Sequence, residues 1–309
     1  KYGDQMAACL RAAKGSGIRV HAWVICFNAT RNIPKVMEDF RKRGWRLQDE
    51  RGRLLSYLNP SVPSVRTRVL AVVDELVGRY PLDGIHLDYI RYPEHTHGRG
   101  DQRRSAVTTA VRQVYATVKE LKPWVCVSTA PLGKYRDTNR YPSYGWNAYY
   151  TVFQEAQEWL REGCIDALFP MLYYKDEHFF PFVDDWSAHA NGRHFAAGLG
   201  IYQLDPHEQN WPLTVIRQQI CYTRCFDAPI SDDASYGTGA CGYALFRAGF
   251  ITDNVKGVKD ELRRLNITPA LVPALTWQSS RNPASPSAVS VTYYTDAVQI
   301  SWADAKQDV

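Results

Sequence analysis

The chain has 309 residues, of which 45% are hydrophobic, more than one small core needs and enough for one large domain plus an extension; a (β/α) barrel alone takes roughly 250 residues. Its formal net charge of +5 comes from 37 Lys and Arg that scatter along the sequence without forming a stripe, which argues against nucleic acid as a partner. No run of apolar residues is long enough to read as a transmembrane segment, and no signal peptide is present in a sequence that opens abruptly, as if inside a domain.

In chain order, a helix is expected over 4–15, then a strand at 18–27, "IRVHAWVICF". An insert at 28–60 follows, with a short helix at 34–43 and "WRLQDERGRLLSYL", which reads as a hairpin turning at Glu50–Arg51–Gly52. Long loops after a strand are where barrel enzymes build their sites. A helix over 62–79 puts Val65, Val69, Val72, Val73 and Leu76 on one face, with Pro63 in its first turn and Gly78 at its end. Strands at 84–90, 124–130, 165–174, 195–202 and 242–248 alternate with helices at 101–122, 147–162, 211–226 and 252–265. Such alternation implies βα units on a parallel sheet, as a barrel or a doubly wound sheet. No glycine-rich phosphate loop follows any strand, which disfavours the nucleotide-binding open sheet. Residues 1–267 make the barrel domain. Residues 268–285, rich in Pro, Ser and Ala, read as a linker, and 286–309 alternate like two antiparallel strands. They are expected either to open a β-sandwich of the fibronectin type III kind, with Trp302 as its core tryptophan, or to pack on the barrel.

The chemistry concentrates in "YPLDGIHLDYIRYP", residues 80–93. Side chains alternate along a strand, so Ile85, Leu87 and Tyr89 share one face and His86 and Asp88 the other. In a barrel the apolar set faces the helices and the polar set the interior. Asp88 comes late in the strand, at the C-terminal mouth where barrel enzymes place catalytic groups, and an inward carboxylate is costly unless paired or functional. Asp83 precedes the strand and belongs to the opposite end, as a turn or helix-end carboxylate. His86 either orients Asp88 and tunes its pKa or is a satisfied interior histidine.

The seven cysteines contain no CxxC pair. Cys26, Cys126 and Cys241 read as buried free thiols, and a Cys225–Cys241 disulfide is open. Glu94, His95 and His97 cluster in one loop, but nothing else at metal spacing accompanies them, so no metal or other cofactor is implied.

"DGIHLDYIRYP", preceded by "YLNPSVPSVRTRVLAVVDELVGRY", resembles the glycosyl-hydrolase-like 10 family of bacterial (β/α)8 TIM barrels. "GIRVHAW", "VSTAPLGKYRD" and "AYYTVFQEAQEWLREGCIDALFPMLYY" resemble further segments of that family in the same order, so the likeness spans about residues 4–250. It implies that strands 3 to 8 of the barrel are present and that strands 1 and 2 lie before this sequence. The stretch also resembles the chitinase signature "DGIDIDWEYP". Asp88-Tyr89-Ile90-Arg91 offers no glutamate there, so that mechanism does not carry over.

The family resemblance implies an extracytoplasmic glycoside hydrolase acting on a polysaccharide or oligosaccharide, with peptidoglycan glycan strands the favoured substrate. The rival is a non-catalytic carbohydrate-binding or scaffold protein; a metal-dependent deacetylase would need ligands the sequence lacks. Glycoside hydrolysis uses two carboxyl groups, about 5–5.5 Å apart for retention and about 6.5–9.5 Å for inversion. Asp88 is the first. Asp176, Glu177 and Asp205 follow later strands and are candidates for the second, which the unseen strands could also supply. Asn28, Arg91, Tyr173, Tyr174, Tyr202 and Arg247 sit at or after strand ends and are expected to contact sugar. Residues 135–150 pack five tyrosines and Trp146 into one loop, and Trp146 is a candidate stacking platform, with Trp186 and Trp211 weaker ones and Trp159 core.

Overall fold

The computed structural model describes residues 3–30, 33–96, 98–139, 144–225, 240–278 and 285–303. The chain divides into two compact units, Lys1–Pro273 and Ala274–Val309. In the first, β1 (His21–Ile25) is followed by an antiparallel hairpin of β2 (Arg46–Gln48) and β3 (Leu54–Leu58), then by β4 (Gly84–Asp88), β5 (Cys126–Thr129), β6 (Ala167–Leu168), β7 (His194–Leu199) and β8 (Ala240–Leu245). Six of these form a single parallel sheet in the order β1-β4-β5-β6-β7-β8, curled as part of a barrel.

The sheet's outer face is the core. Ala22, Val24, Ile85, Leu87, Val127, Leu168, Phe195, Ala197 and Leu199 are all buried. Against them lie amphipathic helices whose apolar stripes recur every three or four residues. In Pro63–Arg79 the stripe is Val65, Val69, Val73 and Val77, so Val77 takes the place expected for Val72, which is exposed. Proline at the first turn starts that helix without losing a backbone hydrogen bond. Gly100–Leu121 buries Val107, Val111, Val114 and Val118, at alternating spacings of four and three.

Three departures from the expected elements have local causes. The strand read at 165–174 is only two residues long in the sheet. Pro170 lacks the N–H a ladder needs, and Met171 rejoins the sheet through single bridges to Leu132 and Gly198. The helix read at 147–162 breaks into Ala148–Thr151 and Ala156–Arg161, with Phe153 between them at φ 62°. The break turns Gln154 inward, where it accepts from the Leu132 N–H at 3.2 Å and donates to the Ile90 carbonyl at 3.5 Å. A helix at Phe180–Ala188, with Pro181 in its first turn, was not expected.

Among the described residues the second unit contains a hairpin, β9 (Ser287–Tyr293) against β10 (Val298–Ala303), whose residues, Trp302 included, are exposed. Cys26, Cys126 and Cys164 are buried free thiols, and Cys9 and Cys221 are exposed; the side chains of Cys225 and Cys241 lie outside the description. Among the described residues no helix is long and apolar enough to cross a membrane.

Candidate active site

Pairing in the parallel sheet sets which side chains share the inner face. His21, Trp23 and Ile25 of β1 stand beside Gly84, His86 and Asp88 of β4, and Ser128 of β5 stands beside His86. The lower layer is tight: the His21 ring occupies the space a side chain at Gly84 would need. Asp83 sits just below, its carboxylate accepting from the Val20 N–H at 2.7 Å and so fixing the start of β1.

Asp88 closes β4 at the other end. The chain turns at once, with Tyr89 at φ 49°, a conformation uncommon for a residue other than glycine. This turn brings the Tyr89 N–H onto Asp88 Oδ1 at 2.7 Å, while the Trp23 indole Nε1–H donates to Oδ2 at 3.1 Å. Burial pushes the Asp88 carboxyl above its ordinary 3.8, against those two hydrogen bonds and the nearby charge of Arg91. The Arg91 guanidinium lies 5.0 Å over the Tyr89 ring. His86 bonds Ser128 Oγ at 3.0 Å and sets its edge on Phe169. Burial pushes it down to about 4, so at neutral pH it is an uncharged, bonded interior histidine, and it is not among the groups that shift Asp88.

The insert after β1 forms the hairpin read from its sequence, with Gly52 at φ 75° in the turn. It docks at the mouth, where Asn28 pairs with Tyr57 and Tyr57 meets Tyr89 with ring centroids 6.4 Å apart. The Asn28 side chain accepts from the Thr30 N–H at 3.0 Å. Beyond β6, β7 and β8 three rings pack together. Tyr173 stacks on Phe246 at 5.6 Å and 20°, and Tyr202 stands edge-on to Tyr173 at 5.6 Å and to Phe246 at 5.8 Å. Burial, with Tyr202 and Asp88 adding to it, pushes the Tyr173 phenol up, so the field of Asp88 reaches this cluster.

The other expected residues separate by side. Tyr174 points away from Tyr173, against Phe182, and burial pushes its phenol up to about 12. Arg247 lies just past β8 with its guanidinium 5.4 Å over Phe250. Asp176 stands exposed beside Lys175 at 3.8 Å, and Glu177 is exposed next to it. Asp205 caps a turn by accepting from the His207 N–H at 2.8 Å. None of these three carboxylates bonds to Asp88, and no carboxylate among the described residues shifts it. Trp146 is exposed. Trp186 and Trp211 are buried, and Trp186 donates to the Gly133 carbonyl at 2.6 Å, so neither is a stacking surface; Trp159 is core and bonds Thr108 at 2.8 Å. Glu94 and His95 lie 3.9 Å apart, His97 lies outside the described residues, and among those described no three ligand groups gather for a metal.

Sequence reasoning missed Trp23, Tyr57, Tyr89 and Phe246 as parts of this mouth. The available signal was alternation along 21–25, which puts Trp23 on the face opposite Ala22 and Val24.

A carboxyl with a raised pKa at the C-terminal end of a parallel-sheet strand, with an indole N–H on one oxygen, suits proton transfer or charge stabilisation. The sheet is of the kind that underlies glycoside hydrolase barrels. The glycoside hydrolase domain of PgaB (BpsB) from Bordetella bronchiseptica superposes with a TM-score of 0.58 at 12% identity, over 84% of this chain and 78% of that one. The α-L-fucosidase isoenzyme 2 of Paenibacillus thiaminolyticus superposes with a TM-score of 0.50 at 14% identity, over 83% of this chain and 39% of that one. Residues 2–102 and 97–193, more than half of the sequence, match the family Glycosyl hydrolase-like 10, and the chain belongs to it. Curated relatives include glycosyl hydrolase YngK of Bacillus subtilis (strain 168), 24% identical over 94% of this chain and 62% of the relative. Glycosyl hydrolase DigH of Escherichia coli (strain K12) is 24% identical over 55% of this chain and 46% of the relative. The chain thus spans less than two thirds of the length of either relative.

Proposed function

We propose that this protein hydrolyses O-glycosidic bonds of a polysaccharide, with Asp88 as the central carboxylate. The observation that carries the reading is the placement of Asp88: last in its strand, bonded through both oxygens, and raised in pKa by burial. A carboxyl held protonated to higher pH than usual is what a general acid needs, and the same group, once ionised, serves as nucleophile or base. Tyr173, Tyr202 and Trp146 are proposed as sugar surfaces, and Asn28, Arg91 and Arg247 as polar contacts at the rim. Asp176, Glu177 and Asp205 remain the candidates for the second carboxyl group. Family likeness favours peptidoglycan glycan strands and an extracytoplasmic setting, with the C-terminal hairpin as the opening of a fibronectin type III-like module.

A second reading, a non-catalytic glycan-binding protein, is favoured by one observation: among the described residues no carboxylate figures in the electrostatic surroundings of Asp88. The experiment compares the protein with Asp88→Asn on purified peptidoglycan glycan strands, measuring new reducing ends and pull-down together. Release by the wild type that is lost in Asp88→Asn supports hydrolysis. Binding without release by either protein supports the second reading, and release that survives Asp88→Asn removes Asp88 from the mechanism.

A further inference from the structure

Trp23 is the residue whose surroundings are least explained by packing. Its neighbours on β1, Ala22 and Val24, are buried in the helix-facing core, yet Trp23 is 59% exposed on the inner face. Its single polar atom is committed to Asp88 Oδ2 at 3.1 Å. Register explains how. Trp23 pairs with His86 and Ile25 with Asp88, so the indole leans one step along the strand to place its N–H on the carboxylate, and much of its ring stays exposed.

We propose that Trp23 is a positioning residue for Asp88 and, through its exposed ring face, the surface that holds a sugar ring against that carboxylate. The inference rests on the reading of Asp88 as the working group. The indole N–H has two consequences. It selects one orientation of the carboxylate, because the other oxygen is already held by the Tyr89 N–H at 2.7 Å, so the lone pairs left over point to a defined place. It also favours the ionised form. The ionisable neighbours in whose environment Asp88 figures are Arg91 on its own segment, Cys26 after β1 and Tyr173 after β6. Of these only Arg91 is charged at neutral pH. The Trp23 bond is therefore one of few influences opposing burial at this carboxyl. Aromatic faces match the C–H face of a pyranose, and an indole whose edge is pinned by a hydrogen bond loses little freedom when a ring stacks on it.

The test separates the two roles with Trp23→Phe, which keeps a ring and loses the N–H, and Trp23→Ala, which loses both. Trp23 is 59% exposed, so neither substitution leaves a cavity among the described residues. The titration of Asp88 is followed directly by NMR of a 13C-labelled side-chain carboxyl, assigned by its absence in Asp88→Asn, alongside kcat and KM on peptidoglycan glycan strands. In both Trp23 variants the midpoint is expected to rise by about one pH unit. In Trp23→Phe kcat falls several-fold with KM unchanged, and in Trp23→Ala KM also rises about tenfold. An unchanged midpoint in Trp23→Phe overturns the positioning role, and an unchanged KM in Trp23→Ala overturns the sugar surface. Activity retained by Asp88→Asn sinks the catalytic reading instead and leaves the titration to judge the Trp23–Asp88 bond on its own.

Discussion

The two ends of the parallel sheet use carboxylates in opposite ways. At the N-terminal end Asp166, fully buried, accepts from the Val127 N–H at 2.8 Å and meets Lys119 at 2.7 Å and Arg193 at 3.5 Å. Asp83 ties down β1 through the Val20 N–H. Asp166 is held by backbone and by cations from two neighbouring elements, Asp83 by a backbone N–H, and both lock strand starts in place. At the C-terminal end Asp88 is half-buried, with an indole and one N–H as partners and, among the described residues, no cation in direct contact. One residue type, five positions apart on a single segment, is a fastener below and, in the proposed function, the working acid above. Full burial and paired cations separate Asp166 from Asp88.

The strongest way to break this contrast is to neutralise the two aspartates in turn. Asp88→Asn is expected to lower kcat on glycan strands by roughly 10³-fold with thermal stability nearly unchanged, while Asp83→Asn keeps most of the activity. A comparable loss in both would erase the distinction. Next comes Asp166→Ala, which leaves Lys119 and Arg193 facing a gap at the bottom of the sheet. Unfolding in urea should show a loss of roughly 3–5 kcal/mol, whereas a loss below about 1 kcal/mol would mean that the cluster is already hydrated. Smaller is Gly84→Ala, which sets a methyl against the His21 ring; the cost is expected at about 1–3 kcal/mol by the same measurement.

How much of this contrast is legible in the sequence follows from distance along the chain. The split between Asp83 and Asp88 is readable because it needs only the period of one strand and the rule that parallel barrels act at their C-terminal ends. The hairpin after β1 is readable from its Gly52 turn. Trp23 as the partner of Asp88 is not, because 65 residues separate them and only strand pairing brings them side by side. Asp166 is visible in "CIDALF", yet its role depends on Lys119 and Arg193 arriving from two other elements. Val77, not Val72, faces the core because the helix presents a strict four-residue stripe, a choice that a mixed three- and four-residue pattern leaves open. Trp186 belongs to a helix with weak apolar periodicity, and its indole is buried by the Gly133 loop crossing over it, which no local pattern announces.

The smallest effect is the most direct measure of how Asp88 differs from the fasteners. Its carboxyl is raised above 3.8 chiefly by burial, so the folded protein holds that proton more tightly than the unfolded chain does. The resulting stabilisation is fully present below 3.8 and is lost as pH rises through the raised value. Asp88→Asn cannot titrate. The stability of the wild type relative to Asp88→Asn should therefore increase as pH is lowered from 7 to 3.5, read as the difference in midpoint between the two proteins in urea at each pH. His86, pushed down to about 4 by burial, works in the opposite direction. Its neutral form is the one the fold accommodates, so stability falls as pH drops from 6.5 toward 4, but it does so in both proteins and cancels in the difference. A relative stability that is flat with pH would mean that Asp88 is no more buried as a charge than a surface carboxylate. A relative stability that falls as pH is lowered would mean that it is held ionised, as a fastener is.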